Sequence, residues 1–315
     1  MSVTTQDIFG GDAAAEPALP GSYGEAPNGY RLPGATRLGH VVLQVSDLER
    51  SLRFYEQVLG FRALKRAGDT VRLTALASDK VLLELRELKG AKPVAGRGRL
   101  GLYHFAILLP DRPALARFAR HLGEIGARAG AGDHLVSEAF YMNDPDGLGI
   151  EIYADRPRES WKRMGRQLMM ATDPVDMNDL VSVAGPLQWV GMPNGTGIGH
   201  VHLHVGDIAQ AAAFYSEALG FDRVVWSYPG ALFMSAGGYH HHLGTNTWAA
   251  GAPAAAPDEA RLVEWTIDLP ARADVDAAAE NIARAGFPMT REGDAADLVT
   301  RDPWGTQVRV RATDA

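Results

Sequence analysis

The sequence predicts an α+β protein: four βαβββ modules, paired into curved, cup-like mixed sheets with their helices outside. Two observations carry this. Residues 39–61 (GHVVLQVSDLERSLRFYEQVLGF) and 199–221 (GHVHLHVGDIAQAAAFYSEALGF) agree at eleven of 23 positions at an offset of 160, so the chain contains a duplication. A weaker unit repeats at the same offset, residues 102–110 (LYHFAILLP) against 262–270 (LVEWTIDLP), and its closing segments DPDGLGIEIY and DPWGTQVRV also correspond.

Each copy of the stronger unit opens on a short alternating strand. An aspartate follows (Asp47, Asp207), placed to cap a helix by accepting from the free N–H groups of its first turn. Apolar and aromatic residues then recur at helical spacing, and Gly60 and Gly220 stand where a helix C-cap belongs. Further strands are expected over 71–76, 81–85, 224–226 and 232–234. One such unit leaves too many unpaired strand edges to stand alone, so modules should pair around shared cups. The modules fall at 38–90, 98–156, 198–250 and 260–312. They group as an N-terminal domain (38–156) and a C-terminal domain (198–315), joined by a connector (157–197). Residues 1–37 carry no period of 2 or 3.6 and read as a flexible tail.

At 315 residues the chain has room for two domains, or for one built by duplication. A net charge of −7 argues against nucleic acid or an anionic membrane as the main partner. No apolar run is long enough to span a bilayer, and the N-terminus lacks the basic-then-apolar order of a signal peptide, so a cytoplasmic location is expected. There is no cysteine, so any metal must take His, Asp or Glu ligands. Phosphate loops, Ser nucleophile elbows and dinucleotide fingerprints are missing too. The basic cluster ADRPRESWKRMGR reads as a solvated surface.

The histidines are the informative residues. In GHVHLHV the period of 2 puts His200, His202 and His204 on one face, with Val201, Leu203 and Val205 on the other. Three histidines on one strand face suit a polar cavity better than a core. A second run, His240-His241-His242, reads either as part of the same site or as an exposed, charged edge strand.

On GLYHFAILLP (101–110), DHLVSEAFYMNDPDGLGIEIYADRPR (133–158), GHVHLHV (199–205) and GGYHHHLGTNTW (237–248), the chain resembles the vicinal oxygen chelate superfamily, which includes glyoxalases, bleomycin resistance proteins and extradiol dioxygenases. It looks closest to the catechol 2,3-dioxygenase-like branch. The resemblance covers residues 38 to 312 and implies ligands on the first and last strands of each module. Those positions are His40 and Glu84, then His104 and Glu151, then His200 with the three-histidine run, then Glu264 and Arg309. An arginine cannot ligate a cation, so module four has lost its share of a site.

The resemblance makes His104 and Glu151 metal ligands, with Tyr141 the aromatic hydroxyl ten residues before the glutamate and His134 a supporting histidine upstream. The third ligand depends on pairing. If module two pairs with module three, it is His200, and His241 supplies the acid–base group that moves protons to and from a catechol. If module one pairs with module two, His40 and Glu84 join instead, a set similar to that of glyoxalase I with Zn(II) or Ni(II). The first pairing is favoured. Two histidines and one carboxylate on one face of an octahedron leave room for a bidentate catecholate and dioxygen, which points to Fe(II), with Mn(II) as an alternative. The expected function is therefore extradiol cleavage of a small aromatic diol with O2. A glyoxalase-type isomerase or lyase and a metal-free ligand-binding protein are the alternatives. Trp161, Trp189, Trp248 and Trp304 are candidates for pocket walls or for core. Exposed module edges leave room for a homodimer.

Overall fold

The computed structural model describes residues 3–10, 14–96, 98–293 and 295–313. The first module holds β1 (Arg37–Val45), α1 (Leu48–Gln57), β2 (Arg62–Ala67), β3 (Thr70–Thr74) and β4 (Leu83–Glu87). The second holds β5 (Gly101–Leu108), α2 (Arg112–Glu124), β6 (Gly130–Asp133), β7 (Ser137–Asn143) and β8 (Gly149–Asp155). The third holds β9 (Gly197–His204), α3 (Ile208–Ala211), β10 (Asp222–Val225), β11 (Ala231–Ser235) and β12 (Leu243–Asn246). The fourth holds β13 (Arg261–Leu269), α4 (Arg272–Arg284), β14 (Met289–Glu292), β15 (Asp297–Arg301) and β16 (Gln307–Ala312). Asp47 and Asp207 cap their helices, accepting from the backbone N–H of Arg50 and Gln210 at 2.9 and 2.8 Å. After α3 the helix widens into a π-helical stretch, Ala212–Ala218.

Pairing runs across the halves of the chain. One eight-stranded sheet, in the order β10-β11-β12-β9-β5-β8-β7-β6, joins modules three and two. The other, β14-β15-β16-β13-β1-β4-β3-β2, joins modules four and one. Within each module the first and last strands are parallel. The seams between modules, β9 on β5 and β13 on β1, are antiparallel.

The period of 2 then sorts the side chains. Phe105 and Ile107 on β5, with Val201 and Leu203 on β9, enter a core shared with Tyr55, Phe118, Tyr215 and Trp265. The alternate residues face the cups. The duplicated Phe-Tyr and Asp-Pro pairs also find a physical reason. Tyr55 donates to Asp144 at 3.2 Å and Tyr215 to Asp302 at 2.8 Å, so each stronger unit pins the turn before the closing strand of the unit that follows it.

Residues 14–36, which carry no periodic pattern, are laid along the C-terminal half. Glu16–Pro17 pairs with Lys162–Met164, and Glu25 exchanges backbone hydrogen bonds of 2.8 and 2.9 Å with Arg223. Arg31 makes a bidentate pair with Asp222, both contacts 2.7 Å. Tyr23 donates to the carbonyl of Gly238. These ties are long-range and mostly backbone-mediated, which is why no local pattern announces them. The basic cluster is likewise more than a solvated face: Arg156 pairs with Asp133 at 2.7 Å, Arg163 with Glu16, and Arg158 lies 5.3 Å from the Trp161 ring centroid. Among the described residues no helix is long and apolar enough to cross a membrane.

The sheet of modules one and four has its cup closed by ion pairs. Buried Glu84 is held by Arg72 at 2.7 Å and Arg86 at 2.6 Å. Buried Glu264 is held by Arg309 at 2.8 Å and by Gln307. Although burial pushes Glu264 up, Arg309 and Gln307 outweigh it and hold the carboxyl below its usual range. Arg309→Leu strands that carboxylate, and chemical unfolding should show a loss of about 2 kcal/mol or more.

Candidate metal centre

Three strands of the other sheet bring three donors together. His104 lies on β5, Glu151 on β8 and His200 on β9. Ala106 is the residue between them: it is the register partner of Glu151 on one side and of His200 on the other. Its short side chain leaves the space above it to those two longer ones. The His104 Nε2 and His200 Nε2 atoms lie 3.0 and 3.1 Å from the same Glu151 carboxylate oxygen. One donor atom from each residue lies within 4.8 Å of the others, and all three residues are buried.

This geometry fits a cation. His104 Nε2 is buried and left without a hydrogen bond, although it comes within 3.0 Å of a Glu151 carboxylate oxygen. A buried nitrogen left in this way is costly unless something else uses its lone pair. Burial pushes Glu151 up, but His200 and His104 outweigh it and hold the carboxyl well below its usual range. Burial lowers His200 to about 4, so its imidazole is neutral, the form that ligates a metal.

Tyr141 and His134 form a chain beside the centre. Tyr141 is the register partner of Glu151 on β7. His134 Nδ1 donates to the Ala171 carbonyl at 2.7 Å, because a carbonyl can only accept. In the neutral ring Nε2 therefore accepts from the Tyr141 hydroxyl, 2.5 Å away. Burial first, then the Glu151 charge, holds the Tyr141 hydroxyl well above its usual range and so protonated.

The three-histidine run is buried, which removes the exposed-edge reading. Its members face different ways. The His241 ring lies against His200, centroids 4.0 Å apart with the planes tilted by 41°, and meets the edge of Phe233 at 5.0 Å. His240 bonds Asp155 through Nε2 at 2.9 Å, and His242 Nδ1 accepts from the backbone N–H of Ala236 at 3.2 Å. The turn feeding this run needs glycine: Gly237 has φ of +62°, and a Cβ there would stand 2.3 Å from the Gly34 carbonyl oxygen. Burial, with His200 and His240 close by, holds His241 well below the usual imidazole range.

Aromatic rings surround the mouth. Tyr103 lies 5.1 Å from His202, 4.8 Å from His204 and 5.5 Å from Trp248, which is 49% exposed. Of the four tryptophans considered, Trp248 is the one in this wall. Trp161 is buried behind the His240 ring, Trp189 packs on Phe118, and Trp304 packs on Gly206. Sequence reasoning missed Asn246, which bridges His202 and His204 at 3.0 and 2.7 Å, and also Asp155. Asp155 had a signal: it stands four residues after Glu151 on the same strand face. The alternative four-ligand set is not assembled, because His40 and Glu84 lie in the other sheet, Glu84 held by arginines.

Comparison with known proteins agrees with this architecture. The glyoxalase/bleomycin resistance protein/dioxygenase superfamily model matches residues 37–152 and 197–310. The chain is 46% identical to a catechol-2,3-dioxygenase of Bacillus subtilis (strain 168), over 81% of this chain and 90% of that protein. It is 30% identical to an iron-dependent extradiol dioxygenase of Rhodococcus jostii (strain RHA1), over 43% of this chain and 50% of that one. A solved structure of a candidate dioxygenase from Bacillus subtilis subsp. subtilis str. 168 shares the fold, with a TM-score of 0.63 at 15% identity over 90% of this chain and 87% of that one. With both halves matched and such a relative across most of its length, the chain belongs to the glyoxalase/bleomycin resistance protein/dioxygenase superfamily, in its catechol 2,3-dioxygenase-like branch.

Proposed function

We propose that this chain is an Fe(II)-dependent extradiol dioxygenase that opens a catechol-type ring with O2. The observation that carries the reading is the buried His104–Glu151–His200 group, with a protonated tyrosine and a neutral histidine on either side of it. Iron held by this group would supply adjacent positions for the diol and for dioxygen, and the redox chemistry that joins them.

The chain's own residues do the rest. His241, neutral and lying on His200, takes a proton from a diol hydroxyl and returns one as the ring opens. Tyr141, whose proton is directed at His134 Nε2, presents its oxygen as an acceptor to a substrate hydroxyl, its orientation set by His134. Tyr103 and Trp248 give the flat ring apolar surfaces at the mouth. Burial of the floor keeps bulk water from the reacting atoms.

After anaerobic loading with Fe(II), a panel of substituted catechols should give oxygen uptake and a yellow product. No turnover across that panel, or equal activity without oxygen, would sink the reading. Mn(II), Zn(II) and Ni(II) loading serve as comparisons. Glu151→Gln and His200→Ala should lose stoichiometric metal by elemental analysis, while His40→Ala keeps it. His241→Phe should lower kcat by roughly 100-fold or more, and Tyr141→Phe by about 10-fold.

The buried His200 also ties stability to pH. Its folded-state value of about 4 is below the unfolded imidazole value, so the unfolded chain takes up a proton first as pH falls. Stability of chelated protein is thus full above about pH 6.5 and is lost from there down to about 4, at no more than about 1.4 kcal/mol per pH unit for this histidine. Melting curves between pH 7 and 5 test this, and His200→Phe should flatten the dependence.

A further inference from the structure

A hydrogen-bonded chain leads away from His241. Asp155 Oδ1 lies 2.9 Å from His240 Nε2, and His240 Nδ1 lies 2.7 Å from His241 Nδ1. Tyr239 donates to the same aspartate oxygen at 3.1 Å, and its own oxygen lies 2.7 Å from that of Tyr153. Asp155 also lines a cavity of about 390 Å³, together with Arg37, Arg158, Tyr239 and His242. The chain therefore runs from the wall of that cavity to the ring lying on His200.

With both imidazoles neutral, each link has one consistent proton arrangement. A carboxylate only accepts, so His240 carries its proton on Nε2. In the neutral ring His240 Nδ1 is then a lone pair, and the proton between the two imidazoles belongs to His241 Nδ1. That leaves the lone pair on His241 Nε2, since the ring's hydrogen bond to a described residue runs through Nδ1. We propose that Asp155 and His240 are positioning residues that lock His241 in the Nδ1–H tautomer, so that its Nε2 lone pair is available to the diol. An imidazole without such partners favours the opposite, Nε2–H form, which offers the substrate no base. The logic is that of an aspartate holding a general-base histidine in its working tautomer, here passed through a second histidine.

The inference rests on the dioxygenase reading for its purpose, but its test does not depend on turnover. Ring nitrogen NMR on the full chain, 15N-histidine-labelled and loaded with diamagnetic Zn(II), reads each tautomer directly, with His241→Phe and His240→Phe assigning the signals. The expected pattern is Nε2–H for His240 and Nδ1–H for His241. His240→Phe and Asp155→Ala should each shift His241 toward Nε2–H. Asp155→Asn, which keeps an acceptor oxygen for both His240 and Tyr239, should restore the Nδ1–H form that Asp155→Ala loses. In the Fe(II) enzyme, His240→Phe should lower kcat by roughly 100-fold with KM within about threefold, and Asp155→Asn should recover most of the Asp155→Ala loss.

An Nε2–H signal for His241 in the wild-type chain overturns the proposal whatever the activity. So does a His240→Phe chain whose His241 tautomer switches while kcat stays. Correct tautomers without any ring cleavage would instead sink the dioxygenase reading and leave the hydrogen-bonded chain supported.

Discussion

The antiparallel seam between β5 and β9 is the constraint on which the centre depends. In its register His202 stands opposite His104, and His200 opposite Ala106. Because side chains alternate along a strand, a slip of one residue would turn the histidines of β9 toward the helices and bring Val201 and Leu203 into the cup. The core resists such a slip, since those two residues are fully buried on the helix side. Packing on one face thus fixes the chemistry on the other. His104 and Glu151 come from the first half of the chain and His200 from the second, so neither half alone holds the group.

Around the centre, proton positions are set by partners that can play one role only. The Ala171 carbonyl fixes the His134 tautomer and thereby makes Tyr141 a donor. At the opposite side, Asp155 does the same for His240. The two arrangements point opposite ways: one presents a hydroxyl that keeps its proton, the other an imidazole that is held neutral. Both depend on burial, which moves the tyrosine up and the histidine down.

Much of this was legible in the sequence because the repeat is close and strand alternation is simple. The four modules, the aspartate caps and the shared face of His200 and His202 follow from local pattern. Pairing did not: edges can be satisfied by more than one neighbour, and it was chemistry, not periodicity, that favoured modules two and three. The N-terminal segment was opaque because its order comes from partners such as Arg223 and Asp222, far along the chain. The three-histidine run gave no hint of burial, since charge-capable residues in a row look the same whether they face water or one another. Asp155 ends its strand, where an aspartate is as ready to face water as to hold a histidine, so its spacing from Glu151 alone carries little.

The two cups meet the same problem, a carboxylate removed from water, in two ways. Glu264 has a guanidinium tethered to the chain by Arg309, a counter-ion that cannot leave. Glu151 has imidazoles and, on the proposed reading, an exchangeable ion. On that reading one sheet is complete as soon as it folds, while the other reaches full strength only when the surroundings supply metal. The duplication would then leave a molecule of which one side is autonomous and the other reports on what its solution contains.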